Sequence, residues 1–365
     1  MTAFALTLAF APAPPPIVEA VREIEIECSV DVASAFALRL GLSRTALGDW
    51  SPLDLGLFRP LLPVSVRIQA ESALPEAVIN GFVSAQHVTY ADEPGEAVLE
   101  VTGMDATLVM NLEEKVTAWP NLPDGAIATA IFGQHAIVPR VQPTSPVLIE
   151  PEGQIVQRGT DIRFLRRLAR RNGFECFVQP EPITGVDQGF FRPPELVGAP
   201  QAVLNVAMGN ETNVSEFDVR YDMVRPTTVV AAALDAATKA PQPALAPAAL
   251  QAPLGLEPTL TRVLPPPVLR PAETGLMRSA DLQTAAQAIV DRTSLAVTAT
   301  GVTGPEIGVL RPGGLVNVRG AGRELSGSYY LTRVRHTIGP DSYAQQFEAV
   351  RNAVGLTGAE LFMEI

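Results

Sequence analysis

The chain has 365 residues, 27 Lys+Arg against 39 Asp+Glu, a formal net charge of −12, and 47% hydrophobic but only 18% charged residues. At ~150 residues per domain this length points to two or three domains, and the acidic balance speaks against sequence-specific nucleic-acid binding, which needs clustered Lys and Arg. Two cysteines, Cys28 and Cys176, and three scattered histidines leave no disulfide framework and no zinc-ligand spacing, and no run approaches the ~20 apolar residues of a membrane span.

The start, Met1 to Ile17, is apolar but lacks a basic leader and is interrupted by Pro12, Pro14, Pro15 and Pro16, so it is expected to pack as an arm on another chain or on the body rather than act as a signal peptide. The protein is expected to be soluble and made in a reducing compartment. From about Val18 the signals are those of strands. Glu23 to Cys28 and Val64 to Ile68 alternate strictly, while Ala97–Thr102 and Leu108–Leu112 add short apolar runs. Period-two alternation with one wet face predicts antiparallel sheet or barrel.

Residues 121–202 read as α+β. Asp124 is placed to cap a helix bearing Ile127, Ala128, Ile131 and Phe132. Thr160 suits an N-cap and Asp161 the first turn of a second helix, whose buried stripe is Ile162, Leu165, Leu168 and Ala169. Gly173 ends it as a left-handed cap, and Phe174–Val178 follows as a strand. Strand character returns from Val203 to about Leu234. Ala236–Pro271 holds nine prolines, which predicts an extended connector rather than a domain. Ser279 caps a helix through Arg292, and the end is β again: Gly314–Gly320, then Ser328–His336 and Tyr343–Val350 joined by a Gly/Pro/Asp turn into a hairpin.

No constellation of catalytic residues stands out. The glycine clusters at Gly301–Pro305 and Gly320–Gly322 lack the strand-Gly-helix order of a phosphate cradle. Cys28 and Cys176 lie in apolar strand patterns and read as small buried hydrophobes, and Glu113-Glu114-Lys115 reads as a solvated turn. Cofactor and metal sites are expected to be absent. The arginines are the candidates for a subunit interface. Arg166 and Arg170 occupy the wet side of the second helix, where they either meet solvent or pair with acids of a neighbouring subunit. Arg333 and Arg335 share one face of the last hairpin, with Arg351 beyond it, and such a row suits salt bridges across a subunit boundary as well as plain solvation. His336, next to this row, reads as a structural histidine.

The segment Gln157–Val178 resembles one found in phage late control protein D and the VgrG-type hub proteins. The closing hairpin, Leu325–His336 with Tyr343–Asn352, is similar to that family's final barrel strands, and Gly313–Gly320 stands where the family has a preceding strand. The resemblance covers roughly Val18–Ala232 and Ser279–Asn352. It implies an α+β, mainly β chain with two tail-tube-like β-barrel domains and α/β and Pro-rich insertions. The divisions are an arm at 1–17, a first barrel at 18–120, the insertion at 121–202, a second barrel at 203–235 and 295–352, a Pro-rich excursion with a helix at 236–294, and a tail at 353–365.

Functionally it implies a structural, non-enzymatic baseplate hub of a contractile tail or contractile injection system. Such a hub is a homotrimer whose six barrels form a pseudo-six-fold ring, with a hexameric tail-tube ring protein on one face and a trimeric spike on the other. Baseplate wedge components are further partners, and assembly would take place in the bacterial cytoplasm. VgrG-type chains usually continue into an OB-fold and a needle, whereas this one stops at Ile365, so the spike is expected as a separate protein. Two other functions compete: a tail-associated cell-wall hydrolase, for which residues 121–200 are the only room, and a cargo or adaptor module docking through the arm or the Pro-rich stretch.

Overall fold

The computed structural model describes residues 3–70, 74–91, 93, 95–145, 154–234, 239–271, 279–340, 342–358, 360 and 362. The chain is mainly β, and its frame is one 13-stranded sheet. The first half comprises β1 (Ala3–Leu8), β2 (Val21–Ser29), β3 (Ala35–Gly41), β4 (Pro63–Gln69), β5 (Glu76–Thr89) and β6 (Val98–Asp105). They pair antiparallel in the order β1-β4-β5-β6-β3-β2. Alternation places Ile24, Ile26 and Cys28 in the core and the glutamates of β2 on the solvent face. Leu6 and Leu8 of β1 share a core with Ile24 and Ile26 of β2, although four strands lie between them. A flat sheet would hold these ends roughly 24 Å apart at ~4.8 Å per strand, so this half curls into a barrel.

The apolar arm is therefore a strand of the body: β1 runs against β4, with Phe4 opposite Ile68 and Leu8 opposite Val64. Residues 1 and 2 lie outside the described part of the chain. The apolar run at Leu108–Leu112 is not a strand. It forms a 3-10 turn at Val109–Asn111, through which the chain leaves the barrel.

In the insertion, β7 (Glu114–Trp119) pairs with β9 (Ile155–Thr160), while β8 (Val138–Val141), β10 (Glu175–Pro180) and β11 (Asp187–Arg192) form a mixed sheet in the order β8-β11-β10. Two helices, α1 (Asp124–Gln134) and α2 (Asp161–Asn172), cover it with the apolar positions their spacing predicts, among them Ile127, Ile131, Ile162, Leu165 and Leu168. Gly173 closes α2 at φ 70°, the left-handed cap expected of it. Lys115 lies not in a turn but within β7, and it binds a buried carboxylate described below.

The chain continues through β12 (Pro200–Asn205) and β13 (Val214–Tyr221) into the Pro-rich excursion, which is more than a connector. There β14 (Thr228–Leu234) pairs with β15 (Pro241–Ala246) and, in parallel, with Val268–Leu269. The helix α3 (Ser279–Ser294) packs on this small sheet, burying Leu282, Ala286 and Val290 against Val229, Ala231 and Ala244. β14 thus belongs to the excursion, not to the second barrel where strand character alone would put it. Proline excludes helix interiors but is compatible with short edge strands. The Ser279 side chain, expected as a cap, lies outside what is described.

The second barrel is completed by β16 (Val297–Thr303), β17 (Leu315–Arg319), β18 (Gly327–Ile338) and β19 (Tyr343–Arg351), in the order β12-β17-β18-β19-β16-β13. Its end strands meet: Leu204 of β12 and Val214 of β13 share one core with Val316, Tyr329 and Phe347. Asn213 stitches the seam. Its side chain accepts from the Asn205 amide at 2.7 Å and donates to the Val203 carbonyl at 2.9 Å. Its own carbonyl accepts from Thr303 Oγ1 at 2.7 Å.

The two barrels are fused through β18. Residues 327–330 of this strand pair with β17, and residues 333–338 pair with β2, Arg335 opposite Glu27. The ladder slips between Leu331 and Arg333, and the extra residue, Thr332, turns its carbonyl to the Val30 amide at 3.1 Å. A bulge re-aims a strand; here it lets one strand serve two barrels.

Candidate functional site

The face shared by both barrels is the outer surface of the fused sheet. Arg335 and Arg333 stand on β18 because the sequence alternates there, and β2 presents its glutamates opposite. Arg335 reaches Glu27 at 2.6 Å and Glu25 at 3.3 Å; Arg333 reaches Glu27 at 3.5 Å. The row continues through Arg39 of β3, 3.0 Å from Glu23 and 3.4 Å from Glu100 of β6. On the second barrel it runs on through Glu348, Thr300 and Asp218, paired in register across β19, β16 and β13. The Glu27 hydrogen bond holds the Arg335 guanidinium above its ordinary pKa, a direction that burial opposes. Exposed pairs of this kind contribute ~0.2–1 kcal/mol each, whereas a fully buried Ile or Leu contributes ~1.5–3 kcal/mol. The layer of Ile24, Ile26, Leu38 and Val334 beneath them therefore holds the junction, and the charges give its face a pattern.

Arg333 and Arg335 thus meet acids of their own chain. Arg351 leaves the row altogether, being completely buried. It donates to the carbonyls of Ser326 at 2.9 Å, Leu254 at 2.8 Å and Gly355 at 3.1 Å, and lies 5.0 Å over the Tyr329 ring. It ties the excursion and the last loop to the end of β19. On α2, Arg170 is exposed and its carbonyl accepts from Arg292 at 3.4 Å. Arg166 is half-buried, with Nε and Nη2 lacking hydrogen-bond partners.

Several polar anchors have partners that the sequence does not mark. Thr160 is the N-cap residue of α2, yet its hydroxyl binds Asn111 Oδ1 at 2.8 Å instead of capping. The adjacent Asp161 accepts from Lys115 at 2.7 Å, His135 at 2.8 Å and Gln157 at 2.7 Å. Burial alone would raise the Asp161 carboxyl; these donors outweigh it and hold it below its ordinary value. Asp124 is the first residue of α1 rather than its cap, and its carboxylate takes Arg171 and Asn172, both at 2.6 Å. Arg311 crosses from the second half to the first, reaching Glu76 at 2.9 Å and the Ala77 carbonyl at 2.8 Å. The local pattern marks Asp124, Thr160 and Asp161 as helix-start residues but does not show these partners, which lie far away in sequence.

Four titratable groups are buried against their charged forms. His336 has no exposed surface, its Nδ1 lies 2.8 Å from the Tyr343 hydroxyl, and burial, then the Arg311 cation, lower its pKa to about 3. Tyr330 donates to Glu175 at 2.5 Å beside a cavity of about 240 Å³, and burial raises the Glu175 carboxyl to about 8. Cys28 and Cys176 are buried and pushed up to about 12, burial again being the main cause. Among the described residues no three His, Cys, Asp or Glu side chains gather as a metal site, and no helix is long and apolar enough to cross a membrane.

The fold has counterparts of known structure. A tail protein from Neisseria meningitidis MC58 matches with a TM-score of 0.67 at 14% identity, over 96% of this chain and 97% of that one. The 43 kDa tail protein of prophage MuSo2 from Shewanella oneidensis gives 0.66 at 14% identity, over 97% and 100%. The E. coli c3393 protein, a component of the type VI secretion system, gives 0.58 at 12% identity, over 95% and 76%. No curated protein matches the chain. A family model described as the Alg8 N-terminal domain matches residues 21–340.

Proposed function

The chain belongs to the Alg8 N-terminal domain family, and from that premise and its fold we propose that it is a structural baseplate-hub subunit of a contractile tail or contractile injection system. Three copies form a ring of six barrels that receives a hexameric tube ring on one face and a trimeric spike on the other, with no bond made or broken. Assembly takes place in the bacterial cytoplasm and the finished ring sits in the baseplate. The observation that carries this reading is the fusion of two barrels side by side through β18, with one polar face running unbroken across both. Repeated three times, such a unit offers six similar barrels where a single-barrel subunit would offer three. The tail-protein likeness of the fold supports the same reading. We place the polar face on the channel, where the glutamates of β2, with Glu100 and Glu348, keep the lining from holding a polyanion.

Light scattering on the purified chain tests the ring: particles of three chains are expected, and electron microscopy of them should show a pseudo-six-fold outline. A chain that stays monomeric at high micromolar concentration overturns it.

A further inference from the structure

The excursion carries a sheet face that nothing in the described chain covers. In β14 and β15, Ala231, Ala233, Ala244 and Ala246 turn inward beneath α3. The opposite face presents Val230 opposite Leu245, Ala232 opposite Pro243 and Leu234 opposite Pro241, all exposed. A strand with one buried face normally sets polar residues on the other, yet none of these six is polar. Val230, Leu234 and Leu245, three of the large hydrophobics exposed among the described residues, stand together on this one face, and contiguous exposed apolar surface marks an interaction site. The edge of β15 does not invite an added strand, because Pro241 and Pro243 withhold donors there. The face itself is the docking element.

A second unexplained feature lies on the first barrel, whose core the excursion does not share. Leu8 pairs with Ala11, leaving Ala9 and Phe10 as a two-residue turn at φ 49° and 66°. Such turns favour Asn and Gly, which tolerate positive φ; Ala and Phe are strained in it. The ring gains no burial within the chain, since Phe10 is 89% exposed. The Ala9 amide donates to the Pro63 carbonyl at 2.9 Å, setting the tip beside Leu61, which is also exposed and held at φ 59°. Strain kept at an exposed apolar tip is a mark of function.

We propose that the Phe10 tip of one copy docks on the β14–β15 face of the next. Phe10, Leu61 and the six face residues carry no charge, so the two surfaces match, and they do not meet inside one chain. Unlike patches joined head to tail make a heterologous contact, which closes into a ring when the rotation allows. The inference rests on the trimeric reading above and names the contact that builds it.

The full chain carrying Phe10→Asp or Leu245→Arg tests it. Each change is expected to weaken trimer formation by roughly tenfold or more, read by light scattering, with the circular dichroism of the dissociated chain unchanged because both side chains are exposed. The double variant, with Asp facing Arg, should regain most of the loss. Phe10→Cys together with Leu245→Cys should cross-link between chains on mild oxidation, and neither cysteine variant alone should. A trimer that tolerates both charged variants and yields no cross-link overturns this contact and leaves the ring standing. Trimers that persist while a tail component no longer binds the Leu245→Arg chain give the face to that component and overturn it as well. A wild-type chain that never assembles overturns both.

Discussion

Arg351 and His336 are polar side chains with no exposed surface, and each answers burial differently. Arg351 donates to three carbonyls. An Arg351→Met variant fills much of the space but strands those acceptors, and an unmet buried acceptor costs ~1–3 kcal/mol. A loss of roughly 3 kcal/mol or more is expected, measured by urea denaturation. His336 instead stays neutral. Its folded pKa near 3 lies below the 6.5 of the free side chain, so the unfolded chain binds the proton first. Its contribution to stability is whole above pH 6.5 and drains away as pH falls toward 3. The stability gap between the wild type and a His336→Leu variant should narrow between pH 7 and pH 5; a gap independent of pH would contradict that burial.

Among the elements, those with strong local patterns are legible in the sequence. The alternation of β2, the hairpin of β18 and β19, the apolar stripe of α2 and its Gly173 cap all follow from spacing within a dozen residues. β1, the excursion sheet and the ion pairs of the fused face are not. Arg335 and Glu27 stand 308 residues apart, so the acid that answers this arginine cannot be read from its neighbourhood. The same holds for Arg351, an arginine on a strand whose burial is decided by three loops. Asn213 is an equally hidden stitch, and the element it completes can be tested. Asn213→Ala leaves the Asn205 amide and the Val203 carbonyl unpaired at the seam of the second barrel. A destabilisation of about 2 kcal/mol or more is expected, with hydrogen exchange accelerating first in β12 and β13.

For the molecule as a whole, β18 is the strand on which the architecture turns. Had the barrels been strung on a linker, each would melt on its own. Instead the twelve residues of β18 belong to both, and unzipping residues 333–338 from β2 strips the first barrel of a neighbour while loosening the second. Calorimetry should show a single endotherm for both barrels, with the small excursion sheet free to open earlier; two separate barrel transitions would contradict the shared strand. The hub proposed above gains from this. A load applied to one barrel passes along covalent backbone into the other before any noncovalent surface is asked to carry it, so the fused pair yields together or not at all.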